Sequence, residues 1–92
     1  MKNQLTLSAF ADWCEKQPPE REYNYMNNRN CAGCQYLKAI GLPVLAYGVD
    51  DWRDRQCNYH DIPDGWNDCA RARPWAFGAL ASRLREAAGA KK

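Results

Sequence analysis

Five cysteines in a chain of 92 residues limit what this protein can fold into more than any other feature of its sequence. Two of them form the segment Cys31-Ala-Gly-Cys34, and Cys57 and the only histidine, His60, repeat the same spacing further on. Three kinds of structure use such an array: a fold closed by a zinc ion, a redox-active dithiol, and a core in which reduced thiols pack as small apolar groups. The surrounding sequence discriminates among them.

A zinc site needs four nitrogen or sulfur ligands. Here the ligands would be Cys31, Cys34, Cys57 and His60, with Cys69 as an alternative fourth ligand. The segment that begins at Cys31 is, however, typical of the first turn of a helix capped by Asn30, whereas zinc-binding pairs of this spacing usually lie on loops or hairpins. Zinc binding stays open as an alternative.

A redox dithiol is the second interpretation, because a helix N-terminus stabilises a thiolate. Such sites normally belong to a βαβ unit of the thioredoxin type, for which this chain has no room. We therefore favour the third interpretation, in which Cys14 and Cys34 pack as apolar groups in the core. This interpretation requires no metal and no other cofactor.

The opening sequence Met-Lys-Asn-Gln-Leu-Thr-Leu-Ser has no apolar segment of the kind that secretory signals contain, and no apolar run reaches the length of a membrane span. An odd number of cysteines without such a signal is typical of a reducing cytosol. We therefore expect an intracellular protein with no membrane attachment. The length predicts one domain over residues 1–92, and so short a chain does not easily enclose a deep substrate pocket.

The pattern of apolar residues and turn formers predicts an α+β domain in which a small antiparallel β-sheet packs with two or three helices. Ser8 is a candidate N-cap for the first helix, and Gly41 is a candidate terminator of the second. The predicted helices are 9–16, 31–40 and a C-terminal helix from Pro74, and the predicted strands are 22–26, 44–49 and 56–60. The last two strands would pair through a turn around 51–54, and Asp64-Gly65 is a further turn signal.

The C-terminal helix is the clearest element, because its apolar residues recur at helical spacing. Its predicted buried face consists of Phe77, Leu80, Ala81 and Leu84, while Arg83, Arg85 and Glu86 would face water. Pro74 suits the first turn of such a helix, where its missing N–H leaves no hydrogen bond unmade. The pattern does not decide whether residues 68–72 form a separate helical turn.

Charge is distributed unevenly along the chain, although the net charge is only +2. Residues 50–68 carry six aspartates and two arginines, a net charge of −4, whereas residues 69–92 carry six basic groups and one glutamate, a net charge of +5. The total does not predict electrostatic capture of nucleic acid. The polarity would nevertheless orient the protein on a charged partner.

The residue types that dominate binding hot spots are abundant, with four tryptophans, five tyrosines and eight arginines. Together with asparagines they concentrate in two stretches, 23–30 and 52–59. Arginine binds phosphate through paired hydrogen bonds, and aromatic rings stack on unpaired bases. We expect the core to take Trp13, Trp75 and one or two tyrosines, and for the polar remainder a binding surface and a solvated loop both stay open. No nucleophile accompanies His60, so we interpret it as structural.

Three stretches link the chain to a known group of proteins. They are the opening residues 1–14, the segment Asn28-Arg-Asn-Cys-Ala-Gly-Cys34, and the segment Arg73-Pro-Trp-Ala-Phe-Gly-Ala-Leu80. Through them the whole chain resembles the small phage-encoded anti-CRISPR proteins that act on the type I-F (Csy) surveillance complex. These inhibitors share no functional motif, so the resemblance transfers no role to an individual residue.

The resemblance implies a non-enzymatic inhibitor that acts in the cytoplasm of the host bacterium. Members of the group bind the Cas7 backbone or the Cas8 and Cas5 subunits, and some touch the guide RNA (crRNA), so that target DNA cannot hybridise or be recruited. Several members imitate DNA by being strongly acidic, whereas this chain is nearly neutral. We therefore expect a monomer that contacts both protein and crRNA.

Our hypothesis for the partner- and RNA-binding residues takes the polar side chains near the aromatic stretches and the C-terminal basic segment. They are Asn28, Arg29, Arg53, Arg55, Arg71 and Arg73. The alternative function is a small zinc-stabilised protein of a phage that binds nucleic acid or regulates expression. Stoichiometric zinc with unfolding by a chelator would favour that alternative, whereas binding only to an assembled complex would favour the inhibitor.

Overall fold

The structure, a computed structural model, describes residues 5–27, 31–48 and 51–90. It confirms the predicted fold class, because a three-stranded antiparallel sheet packs with helices that include a C-terminal one. In chain order the elements are α1 (Leu7–Glu15), α2 (Ala32–Ala39), β1 (Val44–Tyr47), β2 (Asp51–Asp54), β3 (Tyr59–Asp61), α3 (Trp66–Arg71) and α4 (Phe77–Ala90). Within these described ranges, every helix is too short or too polar to cross a bilayer.

The centre of the core is aromatic. The ring centroid of Phe10 lies 4.9 Å from that of Tyr36 and 4.6 Å from that of Trp66, and all three side chains are buried. Trp13 and Trp75, which the sequence assigned to the core, pack against its edge and are only partly buried. Amphipathic spacing predicted α1 and α2, which supply Phe10 and Tyr36, but it left α3 undecided and does not rank the tryptophans by burial.

The first two helices begin close to their predicted positions. α1 begins after Thr6, whose Oγ1 accepts a hydrogen bond of 3.0 Å from the backbone N–H of Ala9. The cap therefore lies two residues before the predicted Ser8. α2 has Cys31 at its N-cap position, without a side-chain capping bond, and the predicted cap, Asn30, lies outside the described residues.

Two glycines determine how α2 meets the sheet. Gly41 has a φ of +89°, which confirms the predicted left-handed residue at the end of this helix. A Cβ atom on Gly33 would lie 2.3 Å from Cζ of Tyr47, so α2 packs against β1 at a distance that only glycine permits. The start of α2 and the end of β1 therefore form one tightly packed unit.

The sheet corrects the predicted pairing. Residues 51–54, predicted as a turn, form the central strand β2, so that the strand order is β1-β2-β3. β3 covers 59–61 rather than 56–60, and it pairs with β2 instead of β1. The physical reason is that Trp52, which the sequence placed in a recognition stretch, is buried in the core and requires a strand at this position.

The predicted strand 22–26 is not formed. Glu22 makes one isolated β-bridge with Ala76, and the chain then makes a turn at Tyr25. The backbone N–H of Tyr23 donates a hydrogen bond of 3.1 Å to the carbonyl of Trp75. The segment is therefore held by the chain that precedes α4, not by a sheet.

α4 begins at Phe77, three residues after the predicted start at Pro74. The N–H groups of Phe77 and Gly78 donate hydrogen bonds to the carbonyls of Arg21 (2.9 Å) and Pro19 (3.0 Å). These bonds satisfy two of the donors that a helix start leaves without a partner inside the helix, so the start is determined by the facing segment. Upstream of it, α3 supplies the helical turn that the pattern left undecided.

The buried face of α4 is confirmed by the structure, and it consists of Phe77, Leu80, Ala81 and Leu84. One neighbouring prediction is wrong, because Arg83 is partly buried rather than facing water. Its Nε donates a hydrogen bond of 2.7 Å to the carbonyl of Cys69, and its Nη2 donates to the carbonyl of Pro74 at 3.2 Å. Arg83 therefore connects α4 to α3 and to the irregular segment between these two helices.

Candidate interaction surface

Four of the six predicted binding residues lie on the hairpin of β2 and β3 or outside the described residues. Asn28 and Arg29 lie outside the described residues. Arg53 is partly buried on β2 opposite Tyr59 of β3, and its Nε is buried with no hydrogen-bond partner among the described residues. Arg55 is exposed in the turn after β2. The hairpin of β2 and β3 therefore offers a partner the guanidinium of Arg55 and the ring of Tyr59, which is 66 % exposed.

The remaining two predicted binding residues, Arg71 and Arg73, belong to a denser cluster of side chains. We name this cluster the ledge and define it as Tyr25, Met26, Arg71, Arg73 and Trp75. The guanidinium carbon of Arg73 lies 4.2 Å from the centroid of the Trp75 ring. The Tyr25 ring lies 5.8 Å from Trp75, whose Nε1 donates a hydrogen bond of 3.0 Å to the carbonyl of Arg71. Met26, which follows Tyr25 in the chain, is 78 % exposed. The two aromatic rings and the guanidinium of Arg73 are thus brought together at the surface, and an exposed methionine follows one of the rings in the chain.

Buried Tyr23 holds the two halves of the ledge together. Its hydroxyl donates a hydrogen bond of 2.8 Å to the carbonyl of Ala70 and accepts one of 3.1 Å from Nη2 of Arg83. Burial raises the pKa of Tyr23 to about 12, against the opposing effect of the Arg83 guanidinium. The phenol therefore keeps its proton at neutral pH and remains a donor to Ala70.

A groove lies next to the ledge, and its volume is about 250 Å³. It is lined by Tyr25, Ile62, Pro63, Asp64, Gly65, Asn67, Asp68 and Arg71, which we define as the groove. Gly65 has a φ of +90°, so the predicted turn at Asp64-Gly65 shapes this loop between β3 and α3. Arg71 forms an exposed ion pair with Asp68, with 3.4 Å between Nη2 and Oδ1.

The single histidine has a structural contact in the hairpin. Its Nε2 lies 2.8 Å from Oδ2 of Asp54, and its ring stacks on Trp52 with 4.3 Å between centroids. Oδ1 of Asp54 accepts hydrogen bonds from the backbone N–H groups of Gln56 (2.8 Å) and Asn58 (3.0 Å). The bond to His60, followed by that to Asn58, lowers the pKa of Asp54. The histidine and the aspartate together order the turn between β2 and β3.

The thiols do not form a reactive centre in the described structure. All five cysteines are free, and burial raises the pKa of Cys14 to about 12 and that of Cys31 to about 11. Cys14 and Cys34 are fully buried, which confirms the interpretation of both as core residues, whereas Cys57 is exposed in the hairpin turn. Among the described residues, no three His, Cys, Asp or Glu side chains lie close enough together to hold a metal ion.

The sequence reasoning missed two parts of this surface. Trp75 was assigned to the core, although its partly buried ring forms the centre of the ledge. The groove was not anticipated, because Ile62 and Asp64 follow β3 while Tyr25 lies some forty positions earlier in the chain. A signal for the ledge was present in the close spacing of Arg71, Arg73 and Trp75.

Comparison with known proteins adds no relative to this description. No protein family matches the chain, no curated protein is significantly similar to it in sequence, and no solved structure gives a significant match. The geometry of the ledge and the groove therefore carries the functional argument, together with the resemblance noted in the sequence.

Proposed function

We propose that this protein is a non-enzymatic phage inhibitor that binds the type I-F CRISPR–Cas surveillance complex in the cytoplasm of the host bacterium. By occupying the complex it would block binding or hybridisation of target DNA. The proposal combines the resemblance of the sequence to anti-CRISPR proteins with a surface suited to macromolecular contact.

The observation that carries the proposal is the composition and order of the ledge. Tryptophan, tyrosine and arginine are the residues most enriched in interface hot spots, and methionine is also enriched at interfaces. Here Trp75 is fixed by its hydrogen bond to Arg71 and by the stacked Arg73 guanidinium. Side chains that are ordered before binding lose less conformational entropy when a partner docks.

The charges of the region favour a mixed partner surface. Arg73 and Arg71 are exposed on the ledge, whereas Asp64 and Asp68 are exposed in the adjacent groove. A surface with both signs is a poor imitation of duplex DNA, whose backbone is uniformly negative. It suits contact with the Cas7, Cas8 or Cas5 subunits, with crRNA beside the arginines.

Other features support binding rather than chemistry. The buried thiols have raised pKa values, and His60 is engaged with Asp54 in the hairpin. A nucleophile or a general base needs a group of suitable pKa that is within reach of a substrate. The ledge and the groove contain no cysteine and no histidine.

The proposal is tested by the binding of purified Csy complex to immobilised protein. Arg73→Glu and Trp75→Ala should each weaken binding about tenfold or more, because truncation of a central hot-spot residue commonly costs 2 kcal/mol or more. Lys38→Glu, which makes the same change of charge at an exposed position of α2, should bind like the parent.

Two results would contradict the proposal. One is a parent protein that does not bind the purified complex, and the other is ledge variants that bind as tightly as the parent. Nuclease digestion of the crRNA in a parallel sample distinguishes contact with RNA from contact with the subunits.

A further inference from the structure

We infer that the groove binds an arginine side chain that projects from a protein partner. The guanidinium would pair with Asp64, and the aliphatic part of the side chain would pack on Tyr25 and Ile62. This inference rests on the proposed function only for the identity of the partner, which would be a protein subunit of the complex. It assigns a role to the acidic part of the surface, next to the cationic ledge.

The lining of the groove suits one long side chain with an apolar stem. Tyr25, Ile62 and Pro63 are partly buried, so their apolar surfaces are held in place while one side remains accessible. Arginine and lysine pack their methylene groups along such surfaces and keep the charged group in a polar environment. The face of an aromatic ring such as Tyr25 additionally attracts a guanidinium.

The charge of the groove favours a cation. Two carboxylates and one guanidinium line it, a net charge of −1, and the guanidinium of Arg71 already pairs with Asp68. Asp64 is exposed and forms no hydrogen bond or ion pair within the described residues. The carboxylate of Asp64 is therefore available to pair with a cation that enters the groove.

An arginine satisfies these requirements better than a phosphate does. A phosphate in the groove would meet the charges of Asp64 and Asp68, and the arginine of the lining is already paired. A guanidinium can donate two parallel hydrogen bonds to a carboxylate and stack on a ring at the same time. We therefore assign the groove to a protein side chain and leave contact with RNA to the ledge.

The test uses two short peptides as probes, followed by the backbone amide signals of the isotope-labelled full chain in nuclear magnetic resonance. One peptide is acetyl-Gly-Gly-Arg-Gly-Gly-amide, and the other has citrulline, a neutral analogue of the same shape, in place of arginine. The arginine peptide should shift the signals of residues 64–68 and bind about threefold to fivefold more tightly than the citrulline peptide.

Variants of the chain locate the effect. Asp64→Asn should remove the preference for the arginine peptide, and because Asp64 is exposed the variant should keep the parent's spectrum elsewhere. Glu20→Gln removes an exposed carboxylate outside the lining of the groove and should leave the preference intact.

Three results would overturn the inference. They are equal binding of the two peptides, shifts of amide signals only outside the groove, and an undiminished preference of Asp64→Asn for the arginine peptide. Shifts of the groove signals by a uridylate octamer but not by the peptide would overturn it in favour of RNA. None of these results depends on the complex. A chain that selects the arginine peptide but does not bind purified Csy complex would contradict the proposed function and support the groove assignment.

Discussion

The two sides of this protein are held in place by different means. On the helical side, α1 and α4 are joined by an apolar face in which Phe77, Leu80 and Leu84 have no exposed surface. On the side of the ledge, residues 72–76 and the segment around Tyr23 have no regular secondary structure beyond one isolated bridge. There the order depends on a few hydrogen bonds between distant parts of the chain. Packing therefore stabilises the fold, whereas polar contacts shape the surface that we propose as the binding surface.

The sequence separation of those contacts underlines the difference. The bond from Tyr23 to Ala70 joins residues 47 positions apart, and the bond from Arg83 to Tyr23 spans 60 positions. A helix, by contrast, is organised by bonds between residues four positions apart. Each helix of the helical side is therefore organised locally, and only the packing of α1 on α4 joins distant segments, such as Glu15 and Arg85, which lie 70 positions apart. Residues 72–76 and the segment around Tyr23 lack such a local framework.

Truncation of the apolar face should have the largest effect on stability. Leu84→Ala should lower the free energy of unfolding by about 2–5 kcal/mol, because the removed methyl groups leave a cavity in a fully buried site. Unfolding in urea measures the loss. Ser82→Ala, on the exposed face of α4, should change the free energy by about 0.5 kcal/mol or less. If Leu84→Ala lost less unfolding free energy than Tyr23→Phe, the variant described next, packing would not be the main source of stability.

Removal of one hydroxyl should have a smaller effect on stability and a separate effect on binding. Tyr23→Phe leaves the carbonyl of Ala70 and one Arg83 donor without their partner, which should cost about 1–3 kcal/mol of unfolding free energy. The variant should also bind Csy complex more weakly, since Tyr23 positions the ledge. Tyr59→Phe, at a residue that is 66 % exposed, serves as the control for stability. Parent-like stability of Tyr23→Phe would show that packing alone orders the ledge.

The smallest expected effect is on the stability of the protein at acid pH. Hydrogen bonds from His60 and from the N–H of Asn58 lower the pKa of Asp54 in the folded protein, below its usual value of about 3.9. The stability that this carboxylate contributes is therefore present above about pH 4 and is lost as the pH falls through the lowered pKa. Asp54→Asn should remove this part of the acid dependence, as measured by urea unfolding between about pH 6 and pH 2.5.

Glu15 supplies the matched case on the helical side. Its carboxylate accepts a hydrogen bond from Arg85, which lowers its pKa, so Glu15→Gln should make stability less dependent on pH over the same range. Asp61→Asn, at an exposed carboxylate of β3, is the control. If the stability of Asp54→Asn falls with acid as steeply as that of the parent, the hairpin does not depend on this ionised side chain.

The helical side could be predicted from the sequence, because the period of its apolar residues depends on local geometry alone. The spacing of Phe77, Leu80 and Leu84 identifies the buried face of α4 without knowledge of its neighbours. The end of α2 could also be predicted, since Gly41 adopts a left-handed conformation that few other residues adopt. The fold class follows from these elements together with the apolar strand β1.

The ledge and the central strand could not be predicted, because their positions depend on distant residues. Pro74 suited a helix start locally, but the helix begins where the backbone N–H of Phe77 donates to the carbonyl of Arg21, more than fifty positions earlier. Asp54 suggested a turn, yet its carboxylate is held by His60 and by the backbone after β2. Hydrogen bonds between distant segments, and those made by side chains, leave no periodic trace in a sequence.

The exposed thiol in the hairpin turn has a practical consequence. Cys57 is exposed, whereas the other four cysteines are buried and burial raises the pKa of each of them. Thiol reagents react with accessible thiolates, so a maleimide dye would attach at the tip of the β2–β3 hairpin and leave the core thiols intact. The natural chain thus carries its own attachment point for a fluorophore, outside the ledge and the groove. Binding at the ledge or the groove can be followed with it without a single introduced residue.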